Sequence, residues 1–216
     1  MTLTTRIMLR LQELATAHSG RGLFVMLGVQ TVVAVTVAFL LAFNLYSTFT
    51  SASTISICLL YATGDKFDNM LEFFSHDSGC RTSINASMVV LGFTVALVCL
   101  KFYVEKSGRL ADNIYVNVMR RWYMAFAAIG SVIAITVAVV AINTTAGVMA
   151  TCGAADQWRA TFNPRAPSGS VTCSMVLNSD GSSRYQRLWL AIGLSWASLV
   201  GWIGYIALYV SAARQY

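Results

Sequence analysis

The chain has 216 residues, of which 56% are hydrophobic and only 11% charged, and its mean hydropathy is +0.63. A soluble domain carries about 25% charged residues, so this composition excludes a disordered chain, a collagen and an ordinary water-soluble domain. The formal charge of +6 is no nucleic-acid signal either, because no basic run exceeds Arg120-Arg121.

In chain order, residues 1–21 place Leu3, Ile7, Leu11 and Leu14 on one helical face, with Arg6, Arg10 and Glu13 elsewhere. That pattern predicts a short amphipathic helix lying in the cytoplasmic interface of a membrane. Four segments then supply the roughly 20 apolar residues needed to cross about 30 Å of hydrocarbon: residues 22–46, 84–104, 122–149 and 188–210. Backbone in lipid must satisfy its own hydrogen bonds, so each is predicted as a helix. The first apolar stretch, Leu23 to Phe43, is longer than the roughly 7–15 residues of a signal-peptide core and is expected to be retained. No span carries an acid or a base away from its ends, and Lys101 counts with the flank of the second.

Charge sets the orientation. Arg6, Arg10, Arg21, Lys101, Lys106, Arg109, Arg120, Arg121 and Arg214 fall on one side, against Glu13, Glu105 and Asp112. The other side has Lys66, Arg81, Arg159, Arg165, Arg184 and Arg187, balanced by six acids. Both termini and the 105–121 loop are therefore expected in the cytoplasm with the 211–216 tail, while loops 47–83 and 150–187 face outside or into a lumen. Trp122, Tyr123, Trp189, Tyr103 and Tyr209 sit near span ends, at the depth amphipathic rings prefer.

Four of the five cysteines lie in those outer loops: Cys58 and Cys80 in the first, Cys152 and Cys173 in the second. An even count on the non-cytoplasmic side is a disulfide signature of an oxidising compartment. Four cysteines allow three connectivities; pairing within each loop is favoured and cross-loop pairing is the alternative. Each within-loop bridge is worth about 3 kcal/mol in the chain-entropy model. Cys99, inside the second span, behaves as a small apolar side chain.

Alternation in residues 54–61 and around Val171, Cys173 and Met175 predicts short strands, and Asn178-Ser179-Asp180-Gly181 a turn. Phe67, Met70, Leu71 and Phe74 recur at i, i+3, i+4 and i+7 behind the potential cap Asp65, which predicts one short helix. The expected fold is thus all-α, a four-transmembrane-helix bundle under a small disulfide-pinned extracellular cap of short strands plus one helix. Phe67, Met70 and Phe74 are candidates for a partner surface, although packing on the cap itself is the simpler role.

Lipid gives no hydrophobic drive for helix association, so small residues mark close approach. The spans offer Ala34, Ala38 and Ala42; Gly92 and Ala96; Gly130, Ala134 and Ala138; and Gly193, Ala197 and Gly201. Internal packing is their favoured use, and Gly193, Ala197 and Gly201 are also candidates for contact with a neighbouring protein's helix. Gln30, Asn44 and Asn143 are the strongest polar groups in the spans and read as structural hydrogen-bonding residues. The sequons at Asn85 and Asn143 lie too near or inside span ends for ready glycosylation.

Chemistry finds no foothold in the sequence. No HExxH, GxSxG, P-loop or dinucleotide fingerprint is present. The two histidines, His18 and His76, fall on opposite sides of the membrane. No catalytic residue, metal or cofactor is expected, and the absence of an ionisable group deep in a span argues against a pump or proton-coupled transporter.

Cys58-Leu59-Leu60-Tyr61 followed by Gly64, Cys80-Arg81 entering the second span, Cys152 after the third, Cys173 in the second loop, and Trp196-Ala197-Ser198 with Trp202 resemble the transmembrane protein 179 family over about residues 23 to 210. The resemblance implies a non-enzymatic tetraspan, similar in outline to MARVEL and claudin-like proteins, although the W-GLW-C-C pattern of claudins is absent. The resulting expectation is a protein that contacts other integral membrane proteins and lipids, in the plasma membrane or another secretory-pathway membrane, as an accessory subunit of a channel or receptor complex. The alternatives are a self-assembled large-pore or junctional channel, for which Gln30, Thr31 and Asn44 are the best lining candidates, and a vesicle or junction organiser. The orientation is testable: epitope tags at either terminus are expected to bind antibody only after the plasma membrane is permeabilised, and labelling of intact cells reverses the assignment.

Overall fold

A computed structural model describes the backbone of residues 21–51, 53–61, 63–67, 70–74, 77–108, 115–162, 165, 173–174, 177–178 and 183–215. Side chains are described for 24–46, 58–61, 78–104, 121–157, 160, 165, 173–174, 177–178 and 183–214. Four long helices dominate: α1 (Arg21–Asn44), α2 (Asp77–Gly108), α3 (Tyr115–Phe162) and α4 (Arg184–Gln215). Each holds a stretch long and apolar enough to cross a membrane, namely Phe24–Asn44, Ser78–Val104, Arg121–Gln157 and Arg184–Arg214. They fit a multi-pass membrane protein. The amphipathic helix expected in residues 1–21 lies outside the described residues but for Arg21.

The helices outrun the hydrophobic spans. α2 begins at Asp77 rather than near Ile84, and α3 continues past Met149 to Phe162. Residues 150–162, read from composition as loop, hold four alanines and no proline, which first appears at Pro164; nothing there stops a helix already under way. At 48 residues α3 is about 72 Å long, more than twice the hydrocarbon thickness.

Between α1 and α2 the backbone forms two antiparallel ladders. β1 (Tyr46–Ser51) pairs with β2 (Ser53–Cys58), Tyr46 opposite Cys58; β3 (Thr63–Phe67) pairs with β4 (Met70–Phe74), Phe67 opposite Met70. The short helix expected over 65–74 is therefore replaced by a hairpin. Only Asp68-Asn69 separates Phe67 from Met70, and these residue types tolerate the backbone of a tight turn. The run Met70-Leu71-Glu72-Phe73-Phe74 equally suits a strand, so its apparent 3.6-residue period misled. In the second loop Cys173 and Ser174 are helical rather than extended. Asn178 accepts a bond from the Tyr185 N–H (2.9 Å) and so satisfies a free donor at the start of α4.

The chain divides into two compact units: unit 1 comprises Met1–Val35, Val89–Val137 and Ala197–Tyr216, and unit 2 comprises Thr36–Met88 and Ala138–Trp196. On every helix the buried residues recur at alternating steps of three and four. α1 buries Leu27, Gln30, Ala34, Val37, Leu41 and Asn44, and α2 buries Cys80, Ser83, Ser87, Val90, Thr94, Leu97 and Lys101. α3 buries Gly130, Ile133, Val137, Val140, Thr144, Gly147 and Thr151, and α4 buries Leu188, Ala191, Ser195, Ser198, Trp202, Tyr205 and Tyr209. A mean step of 3.5 is the period at which neighbouring helices interdigitate with a small left-handed crossing. The opposite faces expose Val29, Val32, Phe39, Phe93, Val132, Ile135, Val200 and Ile203.

These seams correct two of the four small-residue stripes. Ala34 and Ala38 of α1 and Gly130 and Ala134 of α3 are buried, but Gly92 and Ala96 of α2 and Gly193 and Ala197 of α4 are exposed. The inward face of α2 is taken by hydroxyls and Lys101, and that of α4 by serines and large aromatic rings, so the small residues are turned out. Within unit 1, Tyr205 packs on Gly130, where an added Cβ would lie 3.1 Å from its ring. Gly201 sits under the Gln30 amide, which also accepts a 2.7 Å bond from Ser198 Oγ.

Gly201→Ala is expected to lower stability by about 1–3 kcal/mol, since its methyl overlaps the Gln30 amide and pulls it from Ser198. Gly193→Ala, with nothing within 4 Å, should be near neutral. In a Gln30→Ala background the Gly201→Ala loss should shrink. Thermal unfolding in mild detergent of the four variants reads all three statements.

Candidate functional site

The densest set of long-range polar contacts is in unit 2, where the Cys58-Leu59-Leu60-Tyr61 segment meets α1, α2 and α3. Cys58 is bonded to Cys80 at the start of α2, with Cα atoms 5.8 Å apart. The Leu59 N–H donates to the Leu45 carbonyl (2.8 Å), and the Leu59 carbonyl accepts from Thr151 Oγ1 (2.8 Å). Leu60 is fully buried and lies directly on Gly147, where a Cβ would come 2.8 Å from Leu60 Cβ. The Tyr61 N–H donates to the Gly147 carbonyl (3.1 Å).

Tyr61 has φ +58°, a left-handed conformation uncommon for a residue with a Cβ. Its ring runs beside Gly79 of α2 and Gly147 of α3, each of which leaves room that a methyl would take. Its hydroxyl donates to Asn143 Oδ1 (3.1 Å), while Asn143 Nδ2 donates to Ser83 Oγ (2.7 Å) and the Gly79 carbonyl (3.1 Å). One amide thus ties loop, α2 and α3 together. The sequence marked Asn143 as a polar group in a span; Gly147, one turn further on, was the unread sign that something packs there.

The second bridge, Cys152–Cys173, fastens the C-terminal part of α3 to the second loop (Cα–Cα 4.8 Å). Both bridges join cysteines of the same loop. Trp196 Nε1 donates to Thr145 Oγ1 (3.2 Å), holding α4 to α3 within unit 2.

In unit 1, Lys101 departs from its expected place at an aqueous flank. It is only 5% exposed, with Nζ 5.8 Å from the Phe24 ring centroid and 6.0 Å from that of Tyr209. Aromatic faces stabilise a cation most when it is desolvated. The aromatic run continues from Tyr209 through Tyr205 to Trp202, with centroids 4.5 and 5.2 Å apart.

The remaining candidates scatter. Gly193 and Ala197 are exposed, and Gly201 is covered by Gln30. The side chains of Phe67, Met70 and Phe74 lie outside the described residues, although their backbone belongs to β3 and β4. Cys99 is a free, exposed thiol. Of the pore-lining candidates, Gln30 is buried against Ser198, and Asn44 is buried with Nδ2 donating to the Leu40 carbonyl. Thr31 donates to its own helix at Leu27. Among the described residues no three His, Cys, Asp or Glu side chains gather in a metal-binding group. Comparison with family models, curated proteins and solved structures finds no match to this chain.

Gly147→Ala is expected to loosen residues 58–61 at about 1–3 kcal/mol, because Leu60 must move bodily. Asn143→Leu, leaving Ser83 and Tyr61 without their shared partner, should act similarly. Both variants should speed reduction of the buried Cys58–Cys80 bridge by a membrane-impermeant phosphine, which is read by mass shift. Unchanged reduction rates in a folded variant would show that the segment is held by the disulfide alone.

Proposed function

We propose that the chain is a non-catalytic tetraspan that works by docking other integral membrane proteins, most concretely as an accessory subunit of an ion-channel or receptor complex. Its place is the plasma membrane or another secretory-pathway membrane, with both termini in the cytoplasm. The observation that carries this reading is the division of the small residues. α1 and α3 bury theirs inside the chain, whereas α2 exposes Gly92 and Ala96 and α4 exposes Gly193 and Ala197. Among the described residues, nothing beyond its own helical turn comes within 4 Å of an added Cβ at Gly92 or Gly193. In lipid, such faces are where a second helix comes close enough for backbone and side chains to pack.

The outer loops supply the rest of the proposed contact. On this reading the first loop, with its two ladders and the Cys58–Cys80 bridge, would meet a partner's ectodomain, and Phe67, Met70 and Phe74 remain its candidate contact residues. The resemblance of the Cys58–Tyr61 and Trp196–Ser198 patches to the transmembrane protein 179 family belongs to the same reading. The inward placement of Gln30 and Asn44 speaks against the pore.

The test is the particle that the protein occupies in gently solubilised native membranes, together with the behaviour of what accompanies it. A larger channel or receptor in fixed stoichiometry is expected, with altered surface delivery or gating when this chain is deleted. Gly92→Leu/Ala96→Leu or Gly193→Leu/Ala197→Leu should release it while leaving thermal unfolding near wild type. A ring of this chain alone, or a partner indifferent to its deletion, defeats the proposal.

A further inference from the structure

Unit 1 carries three cations on three helices, Lys101, Arg121 and Arg214. Tyr123 and Phe126 of α3 lie 5.7 and 5.4 Å from Tyr209 of α4, and Gly130 of α3 meets Tyr205 of α4, so the two helices run antiparallel. Arg121 precedes Tyr123 by two residues and Arg214 follows Tyr209 by five. They therefore stand about 3 and about 8 Å further along their axes in the same direction, at 1.5 Å per residue. Both are exposed. Lys101 of α2 lies over the rings of Tyr209 and Phe24.

Among the described side chains of unit 1 the charged residues are Lys101, Arg121 and Arg214. In the sequence, residues 1–21, 101–121 and 211–216 carry nine Lys and Arg against three Asp and Glu. Next to Arg121 and Lys101 in the chain come Trp122, half-buried, and Phe102 and Tyr103, both exposed. Amphipathic rings settle at headgroup depth, which puts the guanidinium groups level with lipid phosphates. A guanidinium fork matches phosphate oxygens bidentately.

We propose that this end of unit 1 is a binding surface for anionic phospholipid headgroups, contacted by Arg121 and Arg214, with Lys101 over the rings of Tyr209 and Phe24. The partner is a lipid rather than an acidic protein segment, because Arg121 and Lys101 adjoin Trp122, Phe102 and Tyr103 in the chain, and amphipathic rings prefer the membrane interface. This surface is independent of the small-residue faces of α2 and α4 and stands whether or not the accessory-subunit reading does.

The experiment uses the full chain in lipid nanodiscs of phosphatidylcholine, with and without a minority of phosphatidylserine or a phosphoinositide. Thermal unfolding and the anionic lipid retained by the folded particle in native mass spectrometry are both measured. Expected are a higher Tm and retained anionic lipid in the mixed discs, both reduced by high salt and lost in Arg121→Gln/Arg214→Gln. The same substitutions at Arg184 and Arg187, in unit 2, should leave both intact. Should the double variant not fold, each single variant is expected to lose part of the retained lipid. Equal behaviour in neutral and anionic discs, retention indifferent to Arg121 and Arg214, or the same rise from soluble inositol phosphate in neutral discs overturns the proposal.

Discussion

In hydrocarbon an apolar side chain gains nothing by leaving the solvent, so the helices of this protein must be sorted by something other than hydrophobicity. What sorts them is where polar and small groups find partners. Every buried polar side chain among the described residues lies on one of the four 3.5-residue seams: Gln30 and Asn44 on α1, Ser83, Ser87, Thr94 and Lys101 on α2, Thr144 and Thr151 on α3, and Ser195 and Ser198 on α4. Many are satisfied within their own helix, as Thr94 is at the Val90 carbonyl and Ser195 at Ala191. Fewer reach across, as Ser198 does to Gln30. Each interhelical bond is worth only roughly 0.6 kcal/mol on average, but their common direction fixes which face of each helix turns inward.

The same constraint explains the first loop. A loop segment resting on helices needs hydrogen-bond partners and room, and α3 supplies both at positions spaced by four: Asn143 and Gly147 accept, and Thr151 donates. Holding Tyr61 at positive φ costs on the order of 1–3 kcal/mol. Offsetting it are the Tyr61 N–H bond to Gly147, the hydroxyl bond to Asn143 and the burial of Leu60. The disulfide to Cys80 shortens the search for this arrangement, while the glycines permit it. A loop base fixed at so many points is a rigid platform for whatever the loop presents.

Turning polar groups inward leaves apolar and small residues on the exposed faces. On the proposed reading the contact surface has two parts. The small-residue faces of α2 and α4 meet partner helices, and the basic, aromatic-rimmed end of unit 1 meets anionic headgroups. Both are outward consequences of inward choices. Trp202, Tyr205 and Tyr209 fill the α4 seam and turn Gly193 and Ala197 out, and the ring of Tyr209 that receives Lys101 also orders the end where Arg121 and Arg214 stand.

The four helices and the loop positions of the cysteines were legible in the residues, because span length, the need for internal backbone hydrogen bonds and the cysteine count leave few alternatives. The within-loop pairing was favoured there, and the structure forms it. The β3–β4 hairpin was not legible: a run such as Phe67 to Phe74 satisfies the helical period by coincidence, and only its pairing reveals a strand. Nor was the extension of α3 to Phe162, since hydropathy marks where a helix leaves lipid and not where it ends. Above all, the inward faces of α2 and α4 were decided by tertiary structure. Apolar and small residues occur on both sides of these helices, so sequence alone counts the small residues, and only the neighbours show which of them are already in use.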